Sequence, residues 1–209
     1  VHRRFVDETV AEFRQAGADL APAARARLEA LQTELSELTQ KYSENVLDAT
    51  NAWQLVIDDE HRLTGLPEHA KAAARRSAES KSLAGWRFTL HQPSQEPFMT
   101  YVADDSLRRE MWSGAIAVGA AAPHDNTPLI RRILELRAEK AKLLTKAHFA
   151  DLVLERRMAK TGERAIGFLD DLRERAREAF ARECRELEEF KSARTGRPRA
   201  PLAPWELAY

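Results

Sequence analysis

A long run without a helix-breaking residue constrains this chain more than any other feature. Between Pro22 and Val56 there is no glycine and no further proline. The apolar residues at positions 28, 31, 35, 38 and 42 alternate steps of three and four, as in the seam of a coiled coil. At about 1.5 Å per residue, a helix of about 35 residues is about 50 Å long. Such a helix cannot lie inside a small globular domain, so the pattern predicts an elongated helical scaffold.

Local start and stop signals predict further helices in the rest of the chain. Gly17 is placed as a left-handed cap residue, Pro67 as a first-turn residue and Asp104 as an N-cap. The predicted helices span residues 2–16, 67–81, 107–118, 127–144 and 149–158, and a last long helix begins at Thr161 and stops at Gly196 and Pro198. Its positions predicted to face inward are Ala165, Leu169, Leu172, Ala176, Phe180, Leu187 and Phe190.

One segment has the period of a strand. Residues 85–90 alternate apolar and polar side chains, and residues 98–102 contain residue types that strands accept. The intervening segment 93–97 has proline at both ends and predicts a turn. We therefore predict a mainly α protein with one short β ribbon at about residues 86–102. The whole of residues 1–209 is predicted to be a single helical fragment.

Charge and cysteine content exclude several classes of protein. Lys and Arg number 33, as do Asp and Glu, so the net charge is zero, which disfavours a nucleic-acid partner. One cysteine excludes an intrachain disulfide framework and fits a reducing compartment. No apolar run approaches the ~20 residues that a membrane span needs, and no signal-peptide pattern opens the chain. These features predict a cytoplasmic protein without a membrane partner.

The residues do not predict a catalytic centre. Two histidines four apart, with a glutamate beside the first, would place both imidazoles on one zinc ion, but none of the six histidines is so arranged. Neither a Gly-x-Ser-x-Gly elbow nor a glycine-rich phosphate loop occurs. We therefore predict no catalytic residue and no metal ligand. Arg87, His91 and Tyr101 on the predicted ribbon are the candidates for substrate contact, and the alternative is a solvated ribbon face.

Several sequence segments appear in the same order as in a known family, which the chain therefore resembles. They are Tyr42-Ser43-Glu44-Asn45-Val46-Leu47-Asp48-Ala49-Thr50-Asn51-Ala52-Trp53, Gly65-Leu66-Pro67, Pro97-Phe98-Met99-Thr100-Tyr101, His124-Asp125-Asn126-Thr127-Pro128-Leu129-Ile130, Phe149-Ala150-Asp151-Leu152 and Leu202-Ala203-Pro204-Trp205-Glu206-Leu207-Ala208-Tyr209. The ordered set resembles the thimet oligopeptidase, oligopeptidase A and peptidyl-dipeptidase family of zinc metallopeptidases.

The resemblance implies a helical piece of a larger enzyme that hydrolyses short peptides. In this family the zinc helix, with its His-Glu-x-x-His, lies in the later half of the protein. The zinc ligands are therefore expected outside this chain, and no catalytic residue can be carried over. The expected partners are short peptides in the intact enzyme and the missing catalytic lobe. Surfaces meant for that lobe, including Trp205, Leu207 and Tyr209, predict self-association of the isolated chain, which is expected to be inactive.

The chain differs from the resembled family at two turns. Relatives tend to have glycine in the turn that is Thr145-Lys146-Ala147 here, and often near Ser82. A left-handed cap without glycine costs up to ~1 kcal/mol, so the sequence leaves both turn geometries open.

The alternative function is a stand-alone helical interaction module that binds a partner through the seam from Leu28 to Tyr42. A reading frame that continues into His-Glu-x-x-His would favour the peptidase.

Overall fold

The structure, a computed structural model, describes residues 2–209 apart from the side chain of His2. Within these residues the chain is mainly α, as predicted. The eight α-helices are α1 (His2–Gln15), α2 (Pro22–Ala52), α3 (Glu68–Glu79), α4 (Gln92–Tyr101), α5 (Asp105–Ile116), α6 (Thr127–Leu143), α7 (Phe149–Leu154) and α8 (Gly162–Thr195). The strands are β1 (Leu55–Ile57) and β2 (Trp86–Phe88), and two short 3-10 helices span Glu60–Leu63 and Pro204–Glu206.

The contacts divide the chain into two compact units. The first unit combines Val1–Tyr42 with Thr127–Ala176, and the second combines Ser43–Asn126 with Arg177–Tyr209. By these bounds, α2 and α8 each contribute residues to both units. The fold of each unit is therefore described separately.

Ion pairs are prominent in the first unit. Arg27 of α2 makes two hydrogen bonds of 2.7 Å to the carboxylate of Glu139 on α6. Arg132 of α6 pairs in the same two-pronged way with Glu34 of α2, at 2.6 and 3.0 Å. The apolar residues buried in this unit are Leu28, Leu31, Ile133, Leu136, Ala141 and Leu152. Leu28 and Leu31, the first two residues of the apolar seam of α2, are therefore buried within this unit.

The second unit has a continuous apolar core. Strands β1 and β2 pair antiparallel, with Leu55 opposite Phe88 and Ile57 opposite Trp86. These four side chains are buried, and they share a cluster with residues of α3, α4 and α5. The ring of Phe88 meets the ring of Phe98 edge to face, with centroids 4.6 Å apart. A two-stranded ribbon is marginal in water, and this helical surface supplies the missing partner.

A β ribbon is present, but the predicted pairing of its strands is wrong. Residues 98–102 are not a strand, because α4 runs through Tyr101 and takes up the predicted turn segment 93–97. The true partner of β2 is β1, which lies where the long helix was predicted to continue to Val56. Pro97 inside α4 removes a helical hydrogen bond. Phe98 and Val102 are both fully buried, and that burial favours the helix in spite of the proline.

The predicted helix ends are confirmed at several caps. Gly17 has φ +92°, and the amides of Gly17 and Ala18 close a Schellman-type turn on the carbonyls of Arg14 and Phe13. Pro22 opens α2, and Asp104 caps α5 by accepting from the amides of Ser106 and Leu107. Local residue chemistry was therefore sufficient to place these boundaries.

The two turns that lack the expected glycine keep a left-handed residue. Ser82 has φ 56° and Thr145 has φ 59°. In each turn the following amide reaches back to the last helical turn: Leu83 donates to the carbonyl of Ala78, and Lys146 donates to that of Ala141. The hydrogen-bond pattern is the same as at Gly17, so the turn geometry is retained at the cost of a strained residue.

The last long helix differs most from expectation. The prediction that its apolar positions face inward is wrong, because α8 has no buried residue. Among the predicted inward positions, Leu169, Leu172, Ala176, Phe180, Leu187 and Phe190 are exposed, and Ala165 is half-buried.

The helix predicted over 149–158 ends earlier, at Leu154. None of the helices described combines the length and the apolar character that a bilayer crossing demands.

Candidate functional site

The structure places the three sequence-predicted substrate contacts on different elements. Arg87 lies on β2, where its guanidinium donates to Oε1 of Gln54 at 2.7 Å and to Oγ of Ser77 at 2.9 Å. His91 is the exposed N-cap residue of α4, and Tyr101 is its last residue, 49% exposed. They do not share the face of one ribbon, because the predicted ribbon does not form. Their contact with a substrate stays a prediction.

The potential zinc donors of the chain are dispersed. Within residues 2–209, no three or more His, Cys, Asp or Glu side chains lie together in a group that could hold a metal ion. The residues described therefore do not fit a zinc centre, and no chemical step can be assigned to zinc bound by them.

The best-organised polar cluster lies in the second unit, where the end of the chain meets α5 and α8. We call it the C-terminal anchor; its residues are Asp105, Arg108, Lys191, Arg194, Trp205, Glu206 and Tyr209. Arg108 on α5 is only 3% exposed. Its guanidinium donates to the carbonyl oxygens of Val102 and Trp205 and to Oδ1 of Asp105. A buried cation is tolerated only when it is satisfied in this way.

Aromatic rings complete the anchor. The indole N–H of Trp205 donates to Oδ1 of Asp105 at 3.1 Å, and its ring centroid lies 5.5 Å from that of Trp112. The ring of Tyr209 contacts two guanidinium groups, with its centroid 3.9 Å from Cζ of Arg108 and 4.6 Å from Cζ of Arg194. Arg194 also donates to the Tyr209 hydroxyl at 2.7 Å. These cation–π contacts fix the ring against the helices.

An acidic residue fixes the middle of the same segment. Glu206 accepts from Nζ of Lys191 and from the amide of Ala203, both at 2.7 Å. Burial alone raises the pKa of Glu206, but these two hydrogen bonds and the positive charges of Lys191 and Arg108 outweigh it and hold the pKa below its usual range. The carboxylate is therefore ionised at neutral pH and pairs with the lysine.

The anchor borders a cavity of about 510 Å³. Its apolar lining includes Leu187, Phe190, Leu202 and Leu207, and its cations include Arg108 and Arg194. The charges of the anchor are paired with one another or with aromatic rings. The anchor therefore holds a segment of the chain in place. Positioning is therefore the role that its geometry supports.

Sequence reasoning found part of this anchor and missed its centre. The segment from Trp205 to Tyr209 and the neighbouring cap residue Asp104 were identified from the sequence. Arg108 was not, because its partner Trp205 lies 97 residues away in the chain. The available signal was an arginine between Leu107 and Met111, at helical spacing on an apolar face.

Comparison with known proteins places the whole chain in one family. The pattern of Peptidase family M3 matches residues 98–209, more than half of the chain. Oligopeptidase A of Haemophilus influenzae is 37% identical, over 99% of this chain and 31% of that protein. A probable cytosolic oligopeptidase A of Arabidopsis thaliana is 30% identical, over 99% of this chain and 30% of that protein. The dipeptidyl carboxypeptidase of Escherichia coli is 30% identical, over 100% of this chain and 30% of that protein.

The matched region contains the whole C-terminal anchor, together with the end of α4 and all of α5, α6, α7 and α8. The chain spans about a third of the length of the curated relatives it matches. The motifs that suggested the family point to the same family as the match. The chain belongs to peptidase family M3.

Proposed function

We propose that this chain is the helical, non-catalytic portion of a zinc-dependent oligopeptidase that hydrolyses short peptides, and that the chain alone does not cleave them. The observation that carries the proposal is the alignment of 99% of this chain with 31% of an oligopeptidase A. The described residues offer no group of metal ligands, so the zinc is assigned to a part of the enzyme outside this chain. Zinc in such an enzyme polarises the scissile carbonyl and activates water.

The residues of this chain contribute scaffold and position. The core around Phe88 and Phe98 packs β1, β2, α3, α4 and α5 together, and the C-terminal anchor bonds residues 202–209 to α5 and α8. Arg87, His91 and Tyr101 are proposed as contacts for a peptide in the intact enzyme, and the proposed location is the cytoplasm. No nucleic-acid or membrane partner is proposed.

The test is an assay of the purified 209-residue chain on short internally quenched peptides, with oligopeptidase A of Haemophilus influenzae as the positive control. We expect no turnover above the blank and no stoichiometric zinc by elemental analysis. Turnover that a chelator abolishes and zinc restores would contradict the proposal that this chain is non-catalytic.

The alternative of a stand-alone interaction module has less support. Leu28 is 1% exposed and Leu31 is 0% exposed, so the first half of the proposed binding seam is occupied by the chain's own first unit. Leu35 and Leu38 are half-buried, and Tyr42 is exposed. Only the second half of the seam is accessible to a partner, and no further observation favours this function.

A further inference from the structure

The amine of Lys140, near the end of α6, borders a cavity in the first unit. The cavity has a volume of about 430 Å³ and is lined by residues of α1, α6 and α7 and of the segment that follows α7. Lys140 is half-buried there. Among the residues that the structure describes, no hydrogen bond or ion pair joins its amine to another group. The amine therefore loses part of its hydration and gains no described partner in exchange.

Other half-buried lysines of this chain are held by carboxylates. Nζ of Lys71 lies 3.0 Å from Oε1 of Glu68. Nζ of Lys146 lies 2.6 Å from Oε1 of Glu155. The hydrogen bond to Glu68 raises the pKa of Lys71, whereas burial lowers the pKa of Lys140. Near neutral pH, a larger fraction of Lys140 is therefore neutral, and only the neutral amine is a nucleophile.

The other groups that line this cavity suit a small anion with an apolar end. The apolar lining includes Phe149, Leu152 and Val153. The cations are Arg156 and Arg157, which follow the end of α7. Guanidinium groups bind phosphate well, because their planar fork of N–H donors matches the oxygens of a phosphate group. The cavity therefore combines a nucleophile, an apolar wall and a potential phosphate site.

The two arginines differ in their partners. Arg156 donates two hydrogen bonds to Glu8 of α1, which also lines the cavity, and one of 3.1 Å to Oε1 of Glu12. Arg157 is exposed, and within residues 2–209 no carboxylate is paired with its guanidinium. An anion that enters the cavity can therefore bind Arg157 without breaking an ion pair of the chain.

We propose that Lys140 is a site of covalent acylation by small acyl phosphates, with Arg157 binding the phosphate group. The neutral amine attacks the acyl carbon, and a C–N bond forms as the C–O bond to phosphate breaks. Phosphate leaves with the bonding electron pair, and the nitrogen loses a proton to water. The product is an amide without charge. The inference goes beyond the proposed function and does not depend on peptidase activity.

The experiment treats the 209-residue chain with acetyl phosphate and measures the initial rate of acetylation at each lysine by peptide mass spectrometry. Lys142 is the matched control, because it lies on the same helix and is exposed. At about pH 7.5 we expect Lys140 to react at least about fivefold faster than Lys142. The ratio should fall to about twofold or less near pH 10.4, where half of an ordinary lysine is neutral. A ratio of one at the lower pH, or a ratio that does not change with pH, would overturn the inference.

The charged groups that face Lys140 across the cavity do not titrate over this pH range. Guanidinium groups stay protonated throughout. The hydrogen bond from Arg156 holds the pKa of Glu8 below its usual range, so Glu8 is ionised at both pH values. A change in the ratio of rates therefore reports on the lysines themselves.

A substitution tests the phosphate site separately from the amine. Arg157→Gln should slow acetylation of Lys140 by acetyl phosphate at least about threefold, because it removes the phosphate donor group. It should leave the rate with N-hydroxysuccinimidyl acetate, which has no phosphate group, within twofold of the parent. Arg164→Gln is the matched control, because Arg164 is an exposed arginine of the same unit outside the cavity lining. Equal rates for the two variants with acetyl phosphate would overturn the inference.

Competition in the unsubstituted chain gives a measurement that does not depend on the folding of a variant. Inorganic phosphate should slow the reaction of Lys140 with acetyl phosphate and leave that of Lys142 unchanged, since only the first reaction uses the cavity. Equal inhibition at both lysines, or inhibition at neither, would overturn the inference.

Discussion

The two units of this chain differ in what stabilises them. Thirteen of the described buried apolar residues belong to the second unit and six to the first. The first unit instead joins its helices by exposed ion pairs, such as Arg27 with Glu139 and Arg156 with Glu8. Burial of apolar surface is the dominant favourable contribution to folding, whereas exposed ion pairs contribute little. We therefore expect the first unit to open at lower denaturant concentration than the second.

The largest predicted effect tests the core of the second unit. Phe98→Ala removes a fully buried ring that packs edge to face on Phe88, and we expect it to lower the free energy of unfolding by about 3–5 kcal/mol. Urea unfolding followed by the tryptophan signal of this unit measures the change. Phe13→Ala in the first unit is the control, because that ring is 64% exposed. Equal effects of the two substitutions would contradict the burial of Phe98 in the core of the second unit.

The next effect concerns the C-terminal anchor. Arg108→Gln removes the cation that bonds Val102, Asp105 and Trp205, and a buried acceptor left without its donor costs about 1–3 kcal/mol. We expect faster hydrogen–deuterium exchange at the amides of residues 202–209. Arg109→Gln is the control, because Arg109 is exposed and its guanidinium only stacks on the Trp205 ring. Unchanged exchange in Arg108→Gln would show that the segment is held by other contacts.

Acid should loosen the second unit at two carboxylates. Burial raises the pKa of Asp104, but hydrogen bonds from Ser106, Arg62 and the amide of Leu107 outweigh it, so the pKa is lowered. The pKa of Glu206 is lowered as described above. A lowered folded-state pKa contributes stability that is complete above the unfolded-state value, about 3.9 for Asp and 4.3 for Glu, and is lost as the pH falls through the folded-state value.

We therefore expect the anchor to lose protection from hydrogen–deuterium exchange as the pH falls below about 4. Intrinsic exchange rates measured on an unstructured peptide of residues 202–209 supply the correction for pH. Glu206→Gln removes one titrating group and should flatten this pH dependence. An unaltered pH profile in that variant would assign the acid effect to other carboxylates.

A smaller effect is expected at the turns of Ser82 in the second unit and Thr145 in the first. Replacing Ser82 or Thr145 by glycine relieves a left-handed backbone conformation, and we expect each change to stabilise its own unit by up to ~1 kcal/mol. Ser80→Gly is the control, because Ser80 has φ −62° and should lose stability with glycine. Chemical denaturation of the three variants measures the differences. Destabilisation by both turn glycines would show that the side chains at these turns matter more than backbone strain.

The smallest effect belongs to the ion pairs of the first unit. Arg132→Gln breaks the contacts with Glu34 and Glu135, and we expect only a slight loss of stability because these groups are exposed. The loss should shrink further at high ionic strength, since salt screens exposed charges. Thermal unfolding at low and high salt measures it, with Arg173→Gln on α8 as an exposed control. A loss of stability as large as that caused by Phe98→Ala would mean that ion pairs contribute most of the stability of the first unit.

The candidate site was predictable only in part. The words from Leu202 to Tyr209 and the cap at Asp104 could be identified, because local residue types signal them. The burial of Arg108 and its contact with Tyr209 could not, because they depend on the approach of α5, α8 and the chain end. The three ribbon candidates depended on a strand pairing that did not form.

The sequence by itself determined the mainly α class, most helix boundaries and the family. Those properties follow from local signals such as Gly17, Pro22 and Pro67, and from ordered sequence words. Only the tertiary structure decided that Phe98 belongs to a helix, that β1 pairs with β2, and that none of the apolar residues of α8 is buried. The physical reason is that periodicity shows which residues share a face, whereas the burial of that face depends on which other elements pack against it.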